Sequence, residues 1–223
     1  MTKRIWELDA LRGICLLGMV GIHLLYDLNI SLPLPLQLLQ DWGGCAFLVL
    51  SGVCVTLGHH PVRRGLVVLG CGMVCTLVTW GIYALGFASA DLIIWFGVLH
   101  CLGFCMLLWP LLQRISAQWL GILGSILILL GFYLKDLLLT TPLLVPLGIC
   151  FPGFVSADYF PLLPNLGFFL LGAVAGRKLY RKKQSLFPNL RPNRFLCFCG
   201  RHSLFIYLLH QPILWGILFI LNF

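Results

Sequence analysis

His23 stands inside the first apolar stretch of the chain, and Asp27 follows four residues later. A titratable imidazole is costly to bury in apolar surroundings, so a histidine there is by default a functional-site hypothesis. On a helix the four-residue spacing puts both side chains on one face. A carboxylate so placed can orient an imidazole and stabilise its charged form, which is what general-base chemistry needs. Upstream, Asp9 and Arg12 lie three apart at the start of the same stretch and admit two readings. One is a local helix pair worth about 0.2–0.5 kcal/mol. The other has Arg12, with Arg63 and Arg64, facing an inner pocket for a phosphorylated donor, a task suited to the planar fork of guanidinium donors.

Two more histidines, His100 and His210, fall within apolar stretches. At 1.5 Å per helical residue, His23 lies about 24 Å beyond Glu7, and His100 and His210 each about 13 Å from an end of their segments. Three helices thus bring histidines to middle or outer depth. Taken singly, His100 or His210 could hydrogen-bond to a neighbouring helix. Taken together, and with Asp27, the three favour a shared polar cavity. His100 and His210 could alternatively ligate haem, although the paired-histidine helix usual for two-haem bundles is missing. His59, His60 and His202 fall at the inner surface and carry no chemistry. The ten cysteines lie mostly in apolar stretches without a CxxC. They read as small core residues, and neither a metal site nor a structural disulfide is expected.

The elements that must hold these groups are membrane helices. The chain has 223 residues, 60% of them hydrophobic and only 10% charged, where soluble domains are about a quarter charged. Spans are expected at 8–29, 42–58, 65–87, 92–112, 117–134, 160–177 and 202–221. The fold class is therefore an all-α polytopic membrane bundle of about seven helices. The connections leave no room for a soluble domain, so 1–223 reads as a single transmembrane domain. The first stretch carries charges and lacks a small-residue cleavage site, so it reads as a retained span.

With the N-terminus in the cytoplasm, fourteen of the fifteen basic residues fall inside, from Lys3 and Arg4 to Arg201, and only Lys135 falls outside. The positive-inside rule selects this orientation. It also accounts for the net charge of +8 without a nucleic-acid partner. Asp27, Asp41, Asp91, Asp136 and Asp158 then lie toward the outer face. Residues 137–156 are apolar but interrupted by Pro142, Pro146, Pro152 and Gly153. They read as a re-entrant or interfacial outer element, packed on protein or lining a cavity. The inner stretch 178–201 is expected to hold a short basic interfacial helix limited by Pro188 and Pro192.

Leu8-Asp9-Ala10-Leu11-Arg12-Gly13, with His23 eleven residues beyond the arginine, resembles the signature of membrane acyltransferases. Phe47-Leu48-Val49-Leu50-Ser51-Gly52 is similar to the Phe-x-x-x-Ser-Gly element in the second helix of the broad membrane O-acyltransferase family. Three further segments extend the likeness: Phe96 to Gly103, Asp158 to Pro164 with the glycine-rich helix to Arg177, and Gly200-Arg201-His202-Ser203-Leu204 through His210-Gln211-Pro212. Together, and in order along nearly the whole chain, they resemble bacterial proteins grouped with the catalytic domain of heparan-alpha-glucosaminide N-acetyltransferase. One departure concerns the lysosomal enzyme, where the position eleven past the arginine looks like asparagine and the catalytic histidine comes later. Here no histidine occurs between His23 and His59.

The resemblance implies transfer of an acyl group, acetyl above all, from cytosolic acyl-CoA to an amine or hydroxyl of a sugar-like acceptor at the outer face of a bacterial plasma membrane. It carries the family's histidine onto His23, as base or transient acyl acceptor; Asp27 comes from helix spacing alone. Arg12, Arg63 and Arg64 are the candidates for the CoA phosphates. Ser51, His100, Asp158 and His210 are candidates for lining the passage or contacting substrate. Two copies could associate through helix faces, but no motif specifies a homodimer. A non-catalytic transporter or channel for a small polar solute would share the polar cavity, without use of acyl-CoA or need for a particular histidine.

Overall fold

The computed structural model describes residues 4–221; Lys3, counted above among the inner basic residues, lies outside them. Among the described residues the chain is helical and has no strand. The helices are α1 (Trp6–Asp27), α2 (Leu34–Leu57), α3 (Pro61–Ala84), α4 (Val98–Leu112), α5 (Ala117–Leu134), α6 (Leu162–Leu179), α7 (Arg194–Arg201) and α8 (Ser203–Ile220). Short 3-10 turns occupy Ala90–Leu92 and Pro142–Leu147. Five helices, α1, α2, α3, α5 and α8, are long and apolar enough to cross a membrane. With the wide apolar exposure of α3, which includes Leu66, Val67, Val74 and Leu77, they mark an integral membrane protein whose outer helix faces meet lipid.

Two of the seven expected spans come out differently. The stretch expected at 92–112 is helical only from Val98, 15 residues in all. That is about 22 Å, short of the ~30 Å hydrocarbon layer. Its first residues are diverted into backbone pairing with the 156–160 segment: Ala157 N donates to Ile93 O (3.3 Å) and Phe160 N to Phe96 O (2.8 Å). The stretch expected at 160–177 loses its first turn to Leu163, which is extended (φ −103°, ψ 124°). Leu163 precedes Pro164, and a residue before proline is pushed out of the helical region. Two helices start earlier than expected. α2 begins at Leu34 and α3 at Pro61, each with proline in the first turn, where its missing N–H costs nothing.

The chain contains two compact units, Met1–Leu50 with Leu179–Phe223, and Ser51–Lys178. In the first unit α1 packs on α7 at backbone distance. A Cβ on Gly13 would collide with the Leu196 carbonyl, and one on Gly200 with the Asp9 carbonyl. The buried Glu7 carboxylate accepts from Ser185 Oγ (2.8 Å) and Leu186 N (2.7 Å), tying the basic stretch to the first turn of α1. The short helix expected in 178–201 is α7, which starts after Pro192 with Asn193 as its cap (Leu196 N to Asn193 Oδ1, 3.1 Å).

In the second unit small residues again set the spacing. Gly52 of α2 faces the Phe169 carbonyl of α6, and Gly103 of α4 faces Leu69 of α3. Gly124 of α5 and Gly167 of α6 face each other's carbonyls. In lipid there is no hydrophobic drive between helices, so close backbone approach and dispersion hold them. The buried Trp109 and Phe169 fill the centre edge to face. The 137–156 segment is irregular, as its prolines predict. Tyr159 anchors it by donating its hydroxyl to the Val145 carbonyl (2.7 Å) and accepting from the Cys150 thiol (3.4 Å). Burial, more than that thiol, pushes the Tyr159 phenol up from its ordinary value.

A Cβ on Gly167 would stand 2.5 Å from the Gly124 carbonyl oxygen, whereas one on Gly70 meets nothing within 4 Å. Gly167→Ala is expected to destabilise by about 1–3 kcal/mol, and Gly70→Ala to leave stability unchanged or raise it by up to about 1 kcal/mol. Thermal unfolding of both purified variants in detergent checks the contrast.

Candidate functional site

The first unit brings two of the expected site histidines together. His23 near the end of α1 and His210 in the middle of α8 are hydrogen-bonded, Nδ1 to Nε2 at 2.9 Å. Their rings are nearly parallel, at 21°, with centroids 5.0 Å apart. His210 Nδ1 lies 2.5 Å from the Tyr207 carbonyl oxygen, one turn back on α8. A carbonyl oxygen only accepts, so that nitrogen carries a hydrogen. Both histidines are half-buried.

Asp27 lies on the same face of α1 as His23, as its spacing predicts. Its carboxylate, however, is held by Gln211: Nε2 donates to Oδ2 at 2.9 Å and to Oδ1 at 3.2 Å. The imidazole is thus oriented by His210, while the carboxylate four residues on is oriented by the next residue of α8. Two consecutive side chains of one helix clasp two residues one turn apart on another. Gln211 Oε1 is buried with no hydrogen-bond partner among the described residues, an uncompensated polar atom that costs about 1–3 kcal/mol.

Spacing brought out neither Gln211 nor Tyr207. Gln211 left a signal, since a primary amide inside an apolar helix needs a partner. Tyr207 contributes a backbone carbonyl, which no side-chain pattern reveals. Asp9 pairs with Arg4 (Nε to Oδ2, 3.5 Å) rather than with Arg12 as the three-residue spacing suggested. Arg12 is half-buried on α1.

The second unit holds the other expected residues. His100 is buried and both its ring nitrogens are engaged. Nδ1 accepts from Gly97 N (3.2 Å), and Nε2 lies 3.3 Å from Thr76 Oγ1. That hydroxyl spends its hydrogen on the Ile94 carbonyl (2.6 Å), so it accepts from His100. The ring closes the N-terminus of α4 and pins it to α3, leaving no lone pair for a haem iron. Asp158 Oδ2 accepts from Val98 N (3.0 Å), satisfying another amide of that terminus. Ser51 is buried on α2 beside Gly52.

Arg63 and Arg64 are exposed at the start of α3. Near them, Thr56, Gly58, Pro61, Trp109, Gln113 and Arg177 line a cleft of about 200 Å³. Arg177 donates to the Gln113 and Ile115 carbonyls (both 2.6 Å) and lies over the Trp109 ring at 5.2 Å. It thereby satisfies carbonyls beyond the end of α4. Among the described residues no three histidine, cysteine or acidic side chains cluster in a way that could hold a metal ion.

Residues 4–212 match the family described as heparan-alpha-glucosaminide N-acetyltransferase, catalytic. The match covers nearly the whole chain, His23 and His210 included, and the chain belongs to that family of membrane acetyltransferases. No curated protein and no solved structure matches it.

Removing the Asp158 carboxylate strips an acceptor from the α4 terminus. Asp158→Ala is expected to cost about 0.5–2 kcal/mol of stability, and Asp158→Asn, which keeps an acceptor oxygen, less. Melting temperatures of the two variants in one detergent check the order.

Proposed function

We propose that this member of the family transfers an acetyl group from cytosolic acetyl-CoA to an amine or hydroxyl of a sugar-like acceptor at the outer face of a bacterial plasma membrane, with His23 as the base. The observation that carries the reading is the paired imidazole: His23, eleven residues after Arg12 in the acyltransferase-like segment, is hydrogen-bonded to a second intramembrane histidine. Ionisable groups are rarely kept in apolar helices unless chemistry uses them.

In this reading the N-terminus is cytoplasmic, α4 and α6 complete about seven crossings, and the whole chain works as one catalytic domain. Arg12 on α1 and, separately, Arg63 and Arg64 on α3 are the candidates for the CoA phosphates, for which guanidinium forks are suited. His100 and Asp158 serve the passage for the pantetheine arm through the α4 terminus they build, and Ser51 is a candidate for lining it. His23 removes the proton from the acceptor N–H or O–H as the acceptor's lone pair attacks the thioester carbonyl. Collapse of the tetrahedral adduct breaks the C–S bond, and the departing CoA sulfur takes up the proton that His23 gained. Asp27, one turn away on α1, favours the transient imidazolium electrostatically.

The purified protein, given radiolabelled acetyl-CoA and a panel of amino sugars, is expected to release CoA in an acceptor-dependent manner. His23→Ala is expected to lower turnover at least about 100-fold; turnover equal to wild type overturns the reading. Arg12→Ala is expected to raise the KM for acetyl-CoA about tenfold with kcat nearly unchanged, and an unchanged KM removes Arg12 from the donor site.

A further inference from the structure

We infer that His210 is a positioning residue which, through the Tyr207 carbonyl behind it, sets the tautomer of His23 and so directs the His23 Nε2 lone pair to the reaction. The inference rests on the reading of His23 as the base and deepens it. Tyr207 O accepts only, and it lies 2.5 Å from His210 Nδ1, so His210 Nδ1 holds the hydrogen. A neutral His210 then has a bare Nε2. That nitrogen lies 2.9 Å from His23 Nδ1, and two bare nitrogens at that distance would repel. His23 Nδ1 therefore carries a hydrogen and donates. The neutral His23 ring has only one other nitrogen, Nε2, and it is left with the lone pair.

This is the logic by which a third group orients a catalytic base, with a backbone carbonyl and an imidazole where a carboxylate is more usual. Asp27 does not fill that role: His23 Nδ1 is turned to His210, and the carboxylate accepts from Gln211 Nε2 instead. The Gln211–Asp27 bond instead clasps the same turn of α8 to the same face of α1, keeping the two rings within reach of one another. When Nε2 takes the acceptor's proton, His23 becomes an imidazolium whose Nδ1–H still points at the bare His210 Nε2. No proton needs to move between the rings. His23 returns its new proton to the CoA sulfur, and the original tautomer is restored.

The full-length protein labelled with ¹⁵N-histidine in lipid nanodiscs gives the direct test. A coupling between two histidine nitrogens across a hydrogen bond identifies the pair without any substitution. The expected result is a protonated Nδ1 on one ring coupled to an unprotonated Nε2 on the other, with both rings protonated at Nδ1. Absence of the coupling, or a His23 ring protonated at Nε2, overturns the inference.

Turnover of acetyl-CoA supplies a second readout. His210→Gln places an amide oxygen near the lost Nε2 and is expected to keep kcat within about threefold. His210→Leu is expected to lower kcat at least about tenfold while the KM for acetyl-CoA stays put. Wild-type kcat in His210→Leu overturns the positioning role even if His23→Ala is inactive. Wild-type turnover in His23→Ala sinks the underlying reading instead.

Discussion

Hydrocarbon offers a polar side chain no hydrogen bonds, so such groups inside the bundle are driven to partners in protein, Gln211 Oε1 being an exception. That constraint accounts for the polar architecture of both units. His23 has His210, Asp27 has Gln211, and His210 in turn has the Tyr207 carbonyl. His100 divides its two nitrogens between a backbone amide and a threonine hydroxyl. Even Thr76 and Thr79 are spent on the backbone of the 94 region and of their own helix. Because every bond needs a fixed partner, polar residues here are also devices of register: two consecutive residues of α8 hold two residues of α1 that are one turn apart.

The same absence of water removes the hydrophobic force between helices, and glycine takes over its role in setting distance. Gly13 and Gly200 let α1 and α7 touch backbone to backbone, and Gly52, Gly103, Gly124 and Gly167 do so within the second unit. Close approach matters for chemistry as well as stability. A hydrogen bond between side chains as short as imidazoles needs their helices near one another, and the clasp on α8 lies on the helix that follows α7 with no loop between them.

Much of this was legible in residue types and spacing. The apolar runs and low charge content pointed to a membrane helix bundle. The histidine–aspartate spacing placed His23 and Asp27 on one face, and the motif string pointed to the acetyltransferase family that residues 4–212 match. Where expectation and structure part, a local device is responsible. Residues 93–97 form hydrogen bonds with a distant segment in place of a helical ladder, and Pro164 strips the first turn from α6. Asp9 chose Arg4 over Arg12. A three-residue spacing permits a pair on a helix but does not compel one, because the competing flexible side chain before the helix start has the same charge.

Composition and periodicity thus determined the solvent, the fold class and most of the segments that become helices, and put His23 and Asp27 on one face; the motif resemblance singled out His23 as the candidate base. They could do so because apolar surface and turn-spaced polar residues are properties of the local chain. Only tertiary structure decided which partner each polar group took. His210 and Gln211 lie 187 and 184 residues from His23 and Asp27, and nothing in the spacing of one helix records which face of another it will meet. The tautomer of His23 follows from that meeting, because a backbone carbonyl on α8 fixes where the hydrogens lie.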